Sequence, residues 1–162
     1  TADYANQLNG RYQAGEITSL DFLTELMDYR AGLGSLETFV DDISTIVLGD
    51  RGGQVWWRAP THNVRWPAFA LDDSGFSAFH QDGSNQVRHF WYYAHVAYTN
   101  SSGLARFGNW LHDRVDPGGT YQDWVLGNAG RELGVGLQEG TVDFNEVGNW
   151  VRREVGEQNS LQ

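Results

Sequence analysis

Residues 85–99, NQVRHFWYYAHVAYT, place five aromatic rings, two histidines and an arginine in a stretch of about four helical turns. At about 100° per residue, Val87, Phe90, Trp91, Ala94, Ala97 and Tyr98 fall on one broad face. His95 and Arg88 lie on one flank of that face, with Tyr92 beyond them. His89 lies nearly opposite, beside Tyr93 and Val96, so the far side is not polar either. A helix that is apolar on nearly all sides is stable in water only when other elements cover it all round. The sequence therefore calls for a globule with this helix at its centre.

The rest of the chain supplies covering helices. Residues 3–14 are weakly periodic. In the stretch TSLDFLTELMDYRAGLG, Thr18 or Ser19 offers an N-cap, Leu20, Leu23 and Met27 share a face, and Gly32 and Gly34 stop the helix. Ser35 then caps a helix in which Leu36, Phe39, Val40, Ile43, Ile46 and Val47 follow the helical period, ending at Gly49. Residues 103–115 predict another helix, stopped before Pro117. TYQD at 120–123 resembles a capping box and opens a helix to about 138. The last helix is capped by Thr141 or Asp143, with Phe144, Val147, Val151 and Val155 as its stripe. Gly127, Gly130 and Gly134 share roughly one face of the 120–138 segment. Mid-helix glycines are unfavourable, so either another backbone approaches closely there or the segment is two short helices broken near Gly134 to Gly136.

The expected fold is an all-α single domain over residues 1–162, with six to seven helices. A helical half (1–49) and a second one (84–157) are joined by a long irregular connection (50–83), and residues 158–162 fray. Neither a 20–50-residue repeat nor a run approaching the roughly 18 apolar residues of a membrane span is present, so the expectation is a soluble protein.

Composition excludes several chemistries. With no Cys, the chain has no disulfide, thiolate–zinc site, iron–sulfur ligand or Cys nucleophile. All eleven basic residues are Arg, so neither a Schiff-base lysine nor a P-loop lysine can operate. A net charge of −10 repels phosphate backbones and makes nucleic acid a poor partner. G-x-S-x-G, H-E-x-x-H, EF-hand and dinucleotide motifs are missing from the sequence.

Two groups of residues are left as candidates. The first is histidine-centred. His89 and His95 project about 120° apart on the helical wheel and are poorly placed to share one metal. Each is either an imidazole bonded within the core or a ring turned toward a partner helix. For His89 the partner to look for is His112, at the edge of the 103–115 stripe and next to Asp113. His112 opposite His89 would make a site; a backbone carbonyl there would make a core. The order His89, then His112–Asp113, resembles part of the pattern of HD-type metal phosphohydrolases, which are all-helical. That resemblance implies a divalent metal activating water for phosphoester hydrolysis. The chain departs from the pattern in that Asp143 is the one downstream candidate for a fourth ligand, and Arg-Val follows the His-Asp pair.

The second group is the tryptophan-rich part of the connection. Trp56, Trp57, Arg58, His62, Arg65 and Trp66 concentrate rigid rings and guanidiniums, which stack on planar or apolar ligands or clamp the loop onto the helices. The resulting expectation is a soluble binding or interaction domain for a small molecule or a protein. Its ligand-facing side would combine the 54–69 loop with the groove beside His89, His95 and His112. The alternative is a small metal-assisted hydrolase using His89, His112 and Asp113.

Overall fold

The computed structural model describes residues 1–49, 69, 71–81, 86–100 and 120–157. Among them it is helical, as the periodicity requires: α1 (Ala2–Gln13), α2 (Ser19–Ala31), α3 (Leu36–Leu48), α4 (Gln86–Thr99), α5 (Tyr121–Glu139) and α6 (Val147–Val155). A 3₁₀ turn over Phe144–Glu146 leads into α6, so the last expected helix is split. The expected helix 103–115 lies outside the described residues.

The ends of the helices follow from local chemistry. Thr18 caps α2 through a capping box: its hydroxyl accepts from the Asp21 amide at 3.1 Å, and the Asp21 carboxylate accepts from the Thr18 amide at 3.0 Å. Thr120 and Asp123 repeat the arrangement at the start of α5. Gly49 and Gly140 close α3 and α5 in the left-handed conformation that only glycine adopts without strain.

The described part of the long connection is a strap. Its Ser74 hydroxyl and carbonyl accept from the Ser19 and Leu20 amides, which satisfies two of the N–H groups that the start of α2 leaves unpaired. Its other end pairs with the end of α6. The Ser77 amide donates to the Val155 carbonyl at 2.9 Å, and Phe76 and Gly156 form an isolated antiparallel bridge. Phe76 is fully buried beneath this bridge.

α4 is central. α5 covers one side of it, making the most extensive helix–helix contact among the described residues, and α3 covers another. Val87, Phe90, Trp91, Ala94 and Ala97 are buried, and Tyr93 on the opposite side is buried as well. The α4–α5 crossing is set by two of the three glycines that share a face of α5. A Cβ on Gly130 would lie 2.3 Å from the Phe90 carbonyl oxygen, and one on Gly134 would lie 2.2 Å from the Ala94 carbonyl oxygen. α5 is one continuous helix, so the glycines are there for close approach rather than as a break. α6 buries Val147, Val151 and Val155 and lies against α2. There Asp28 accepts from the Gly148 amide at 3.1 Å and from Arg152 Nη1 at 3.0 Å.

Candidate functional site

The two histidines of α4 face different helices, as the wheel requires. His95 is 5 % exposed and faces α3. Its Nδ1 lies 2.8 Å from Ser44 Oγ, and the Trp91 indole nitrogen lies 3.0 Å from the same oxygen. An indole N–H can only donate, so Ser44 accepts from Trp91; toward His95 Nδ1 the hydroxyl can donate its own hydrogen or accept a second N–H. The imidazole is enclosed with them in the seam. Burial holds it below the ordinary histidine value, and Asp41 opposes that shift. Ser44 is 1 % exposed, so this serine–histidine contact is core structure and not a nucleophile open to substrate.

His89 faces the start of α5. Its Nε2 lies 2.9 Å from the Asp123 carbonyl oxygen; a carbonyl can only accept, so Nε2 donates. A metal-binding or general-base role for His89 would have to run through Nδ1, which lies 3.8 Å from Asp123 Oδ1. The ring also packs tilted against Tyr93, at 5.0 Å between centroids. A backbone carbonyl is thus one described partner of His89. His112 and Asp113 lie outside the described residues, as do Trp56, Trp57, Arg58, His62, Arg65 and Trp66. Among the described residues, no group of three or more His, Asp or Glu side chains could hold a metal ion.

A third histidine, His80, sits in the strap. Its Nδ1 lies 2.7 Å from Ser77 Oγ, and its ring meets the Val155 carbonyl. Burial pushes its pKa down against the effect of that carbonyl. All three described histidines thus hold one element of the fold to another.

Two features of the described surface bear on binding. A shallow groove of about 460 Å³ runs between the end of α1, the start of α2 and the strap. Its polar groups largely serve one another: Asp72 accepts from Ser19 Oγ and Ser74 Oγ at 2.6 Å each, and Tyr12 Oη accepts from the Asp72 amide at 3.2 Å. The other feature is aromatic. Tyr121 is 68 % exposed and Trp124 is 43 % exposed, and their rings stack at 6.0 Å between centroids with 29° between planes. They flank Asp123, so the capping box and His89 fix the backbone that carries them. Tyr121 and Trp124 are not among the residues expected from sequence, although their positions carry a signal. Both rings stand in the first turn of α5, off the stripe of Leu126, Leu133 and Leu137 that it buries.

Among the described residues no helix is long and apolar enough to cross a membrane. Comparison with protein-family models, with curated proteins and with solved structures finds no match to this chain.

Proposed function

We propose that the chain is a helical binding or interaction domain whose partner docks on the aromatic shelf of Tyr121 and Trp124. The observation that carries this reading is the exposure of two stacked rings on a backbone held by a capping box and a histidine. Aromatic side chains fixed in this way contribute large contact area with little ordering entropy left to lose on binding. The shelf suits a small molecule with a flat or CH-rich face, or an apolar side chain of a protein. A net charge of −10 disfavours a phosphate-rich ligand. Trp56, Trp57, Arg58, His62, Arg65 and Trp66 carry the same stacking chemistry in sequence and are assigned to the same role.

The test is a panel of soluble oligosaccharides, nucleosides and short peptides, read by NMR from the tryptophan indole N–H signals. Wild type is compared with Tyr121→Ser/Trp124→Ser and with Trp56→Ala/Trp57→Ala. The reading expects a probe that shifts the Trp124 signal and is lost in the first double variant at unchanged thermal stability. It is refuted when no probe shifts Trp124, or when the first double variant binds as wild type does. Loss of stability in the second variant without loss of any binding signal would make Trp56 and Trp57 core residues. A divalent metal in purified protein, together with phosphodiesterase activity abolished by His112→Ala, would replace the binding reading with hydrolysis through His89, His112 and Asp113.

A further inference from the structure

The α3–α4 seam closes on a polar trio with little tolerance for charge. Ser44, His95 and Trp91 are all buried, on two helices whose core residues include Phe39, Val40, Ile43 and Val47 of α3 and Phe90 and Ala94 of α4. In the neutral ring with Nδ1 unprotonated, Nδ1 accepts the single Ser44 hydrogen. A proton on Nδ1 takes away that acceptor and puts a full charge into an apolar seam.

We propose that the α3–α4 seam is an acid-triggered release: in mildly acidic solution, protonation of His95 breaks the Ser44–His95–Trp91 arrangement and lets α3 part from α4 while the α4–α5 seam holds.

The groups around the ring support this direction. From α3, Asp41 attracts the imidazolium, but it is exposed to solvent and is outweighed by burial. On α4, Tyr92 and Tyr98 stand one turn to either side. Burial is the leading cause that pushes both phenols up, so neither carries charge in acid. Arg88 stands two turns away on the same helix. Among the described residues, α5 meets α4 at this level through Gly134, which lies against Ala94, Ala97 and Tyr98 and carries no charge. The folded state thus keeps His95 neutral below the pH at which the unfolded chain protonates it. Stability from the neutral ring is present above about pH 6.5 and is lost as pH falls from there toward the lower folded value. The α4–α5 seam rests on Gly130 and Gly134 against backbone carbonyls, which do not titrate. At its end His89 already donates to a carbonyl, and the Asp123 carboxylate stands 3.8 Å from the other ring nitrogen to receive a second N–H.

The experiment is ¹⁵N NMR on the full chain between pH 7.5 and 5.0, with the Trp91 indole signal assigned through Trp91→Phe. After correction for the intrinsic pH dependence of exchange, the opening constant read at the Trp91 indole is expected to rise by about tenfold per pH unit below 6.5. The Gly130 and Gly134 amides are expected to stay protected. His95→Asn, which keeps an acceptor near the Nδ1 position and does not titrate, is expected to remove the acid response. An indole equally protected at pH 7 and pH 5, or a full acid response in His95→Asn, would overturn the proposal. So would Gly130 and Gly134 opening together with Trp91. Should His95→Asn fail to fold, the wild-type ring decides: it must titrate below 6.5 and in step with the Trp91 indole. A ring that titrates at 6.5 or above, or without a change at the indole, also overturns the proposal.

Discussion

Replacing Gly134 with Ala tests the central packing claim, because two opposing effects have known sizes. In an unobstructed helix, Gly→Ala stabilises by about 0.5–1 kcal/mol. In α5 the new Cβ would stand 2.2 Å from the Ala94 carbonyl oxygen, 2.8 Å from Ala97 Cβ and 2.9 Å from the Tyr98 amide nitrogen. Two of these three atoms are backbone, so no side-chain rotation relieves the contact, and the α4–α5 seam must widen by about 1 Å. Overpacking of this kind costs about 1–3 kcal/mol, and a backbone obstacle puts it near the upper end. Subtracting the helical gain leaves a net loss of about 2 kcal/mol, or about 1 M in urea midpoint for a slope near 2 kcal/mol/M. The assay is equilibrium urea unfolding followed by far-UV circular dichroism. Gly10→Ala is the control. It lies on the exposed face of α1 with nothing within 4 Å of its Cβ position, so it receives the helical gain alone. A Gly134→Ala variant as stable as wild type, or stabilised as much as Gly10→Ala, would refute close backbone crossing as the reason for these glycines.

Ser44→Ala leaves the buried Trp91 N–H and His95 Nδ1 without their shared partner and is expected to cost about 1–3 kcal/mol in urea unfolding; a loss below about 0.5 kcal/mol contradicts the arrangement. Gly148→Ala would put a Cβ 2.0 Å from Asp28 Oδ1 and so displace the carboxylate from the Gly148 amide and Arg152, a loss of about 1–2 kcal/mol. The same substitution in an Asp28→Ala background is expected to be neutral or stabilising, and additive effects in that double-mutant cycle would count against the contact. Burial alone would raise the Asp72 carboxyl, but hydrogen bonds from Ser19 and Ser74 outweigh it and hold the group below its ordinary value. Its contribution to stability is therefore present above about pH 3.8 and lost as pH falls through the lower folded value. Carboxyl ¹³C titration should show Asp72 moving back up in Ser19→Ala, and an unmoved Asp72 would contradict this account.

Helix order, caps and the buried stripes were legible in the sequence because they are set by interactions within one or two turns. Thr18, Ser35 and Thr120 cap where their side chains reach the next amides, and Val147, Val151 and Val155 bury because they recur at the helical period. The separation of His89 from His95 is likewise a matter of angle along one helix. Asp143 also caps as expected, its side chain accepting from the Asn145 amide at 2.9 Å, but the turn it opens is 3₁₀ over Phe144–Glu146 before α6 begins, where one continuous helix was expected.

What faces each side chain across a seam was not legible, since partners distant in sequence are fixed only when the helices pack. Ser44 in the middle of the α3 stripe could have been read as a polar group in need of a partner, but nothing local names His95, 51 residues away. The glycine face of α5 showed in the sequence that a close approach was one of two alternatives; the tertiary structure decided for it and identified α4 as the neighbour. His89 is the same case: helical spacing set only its direction on α4, and the packing of α5 placed the Asp123 carbonyl against it. Local chemistry determined the elements of this protein and their apolar faces, and long-range packing decided which polar groups those faces enclose and which rings they leave in solvent.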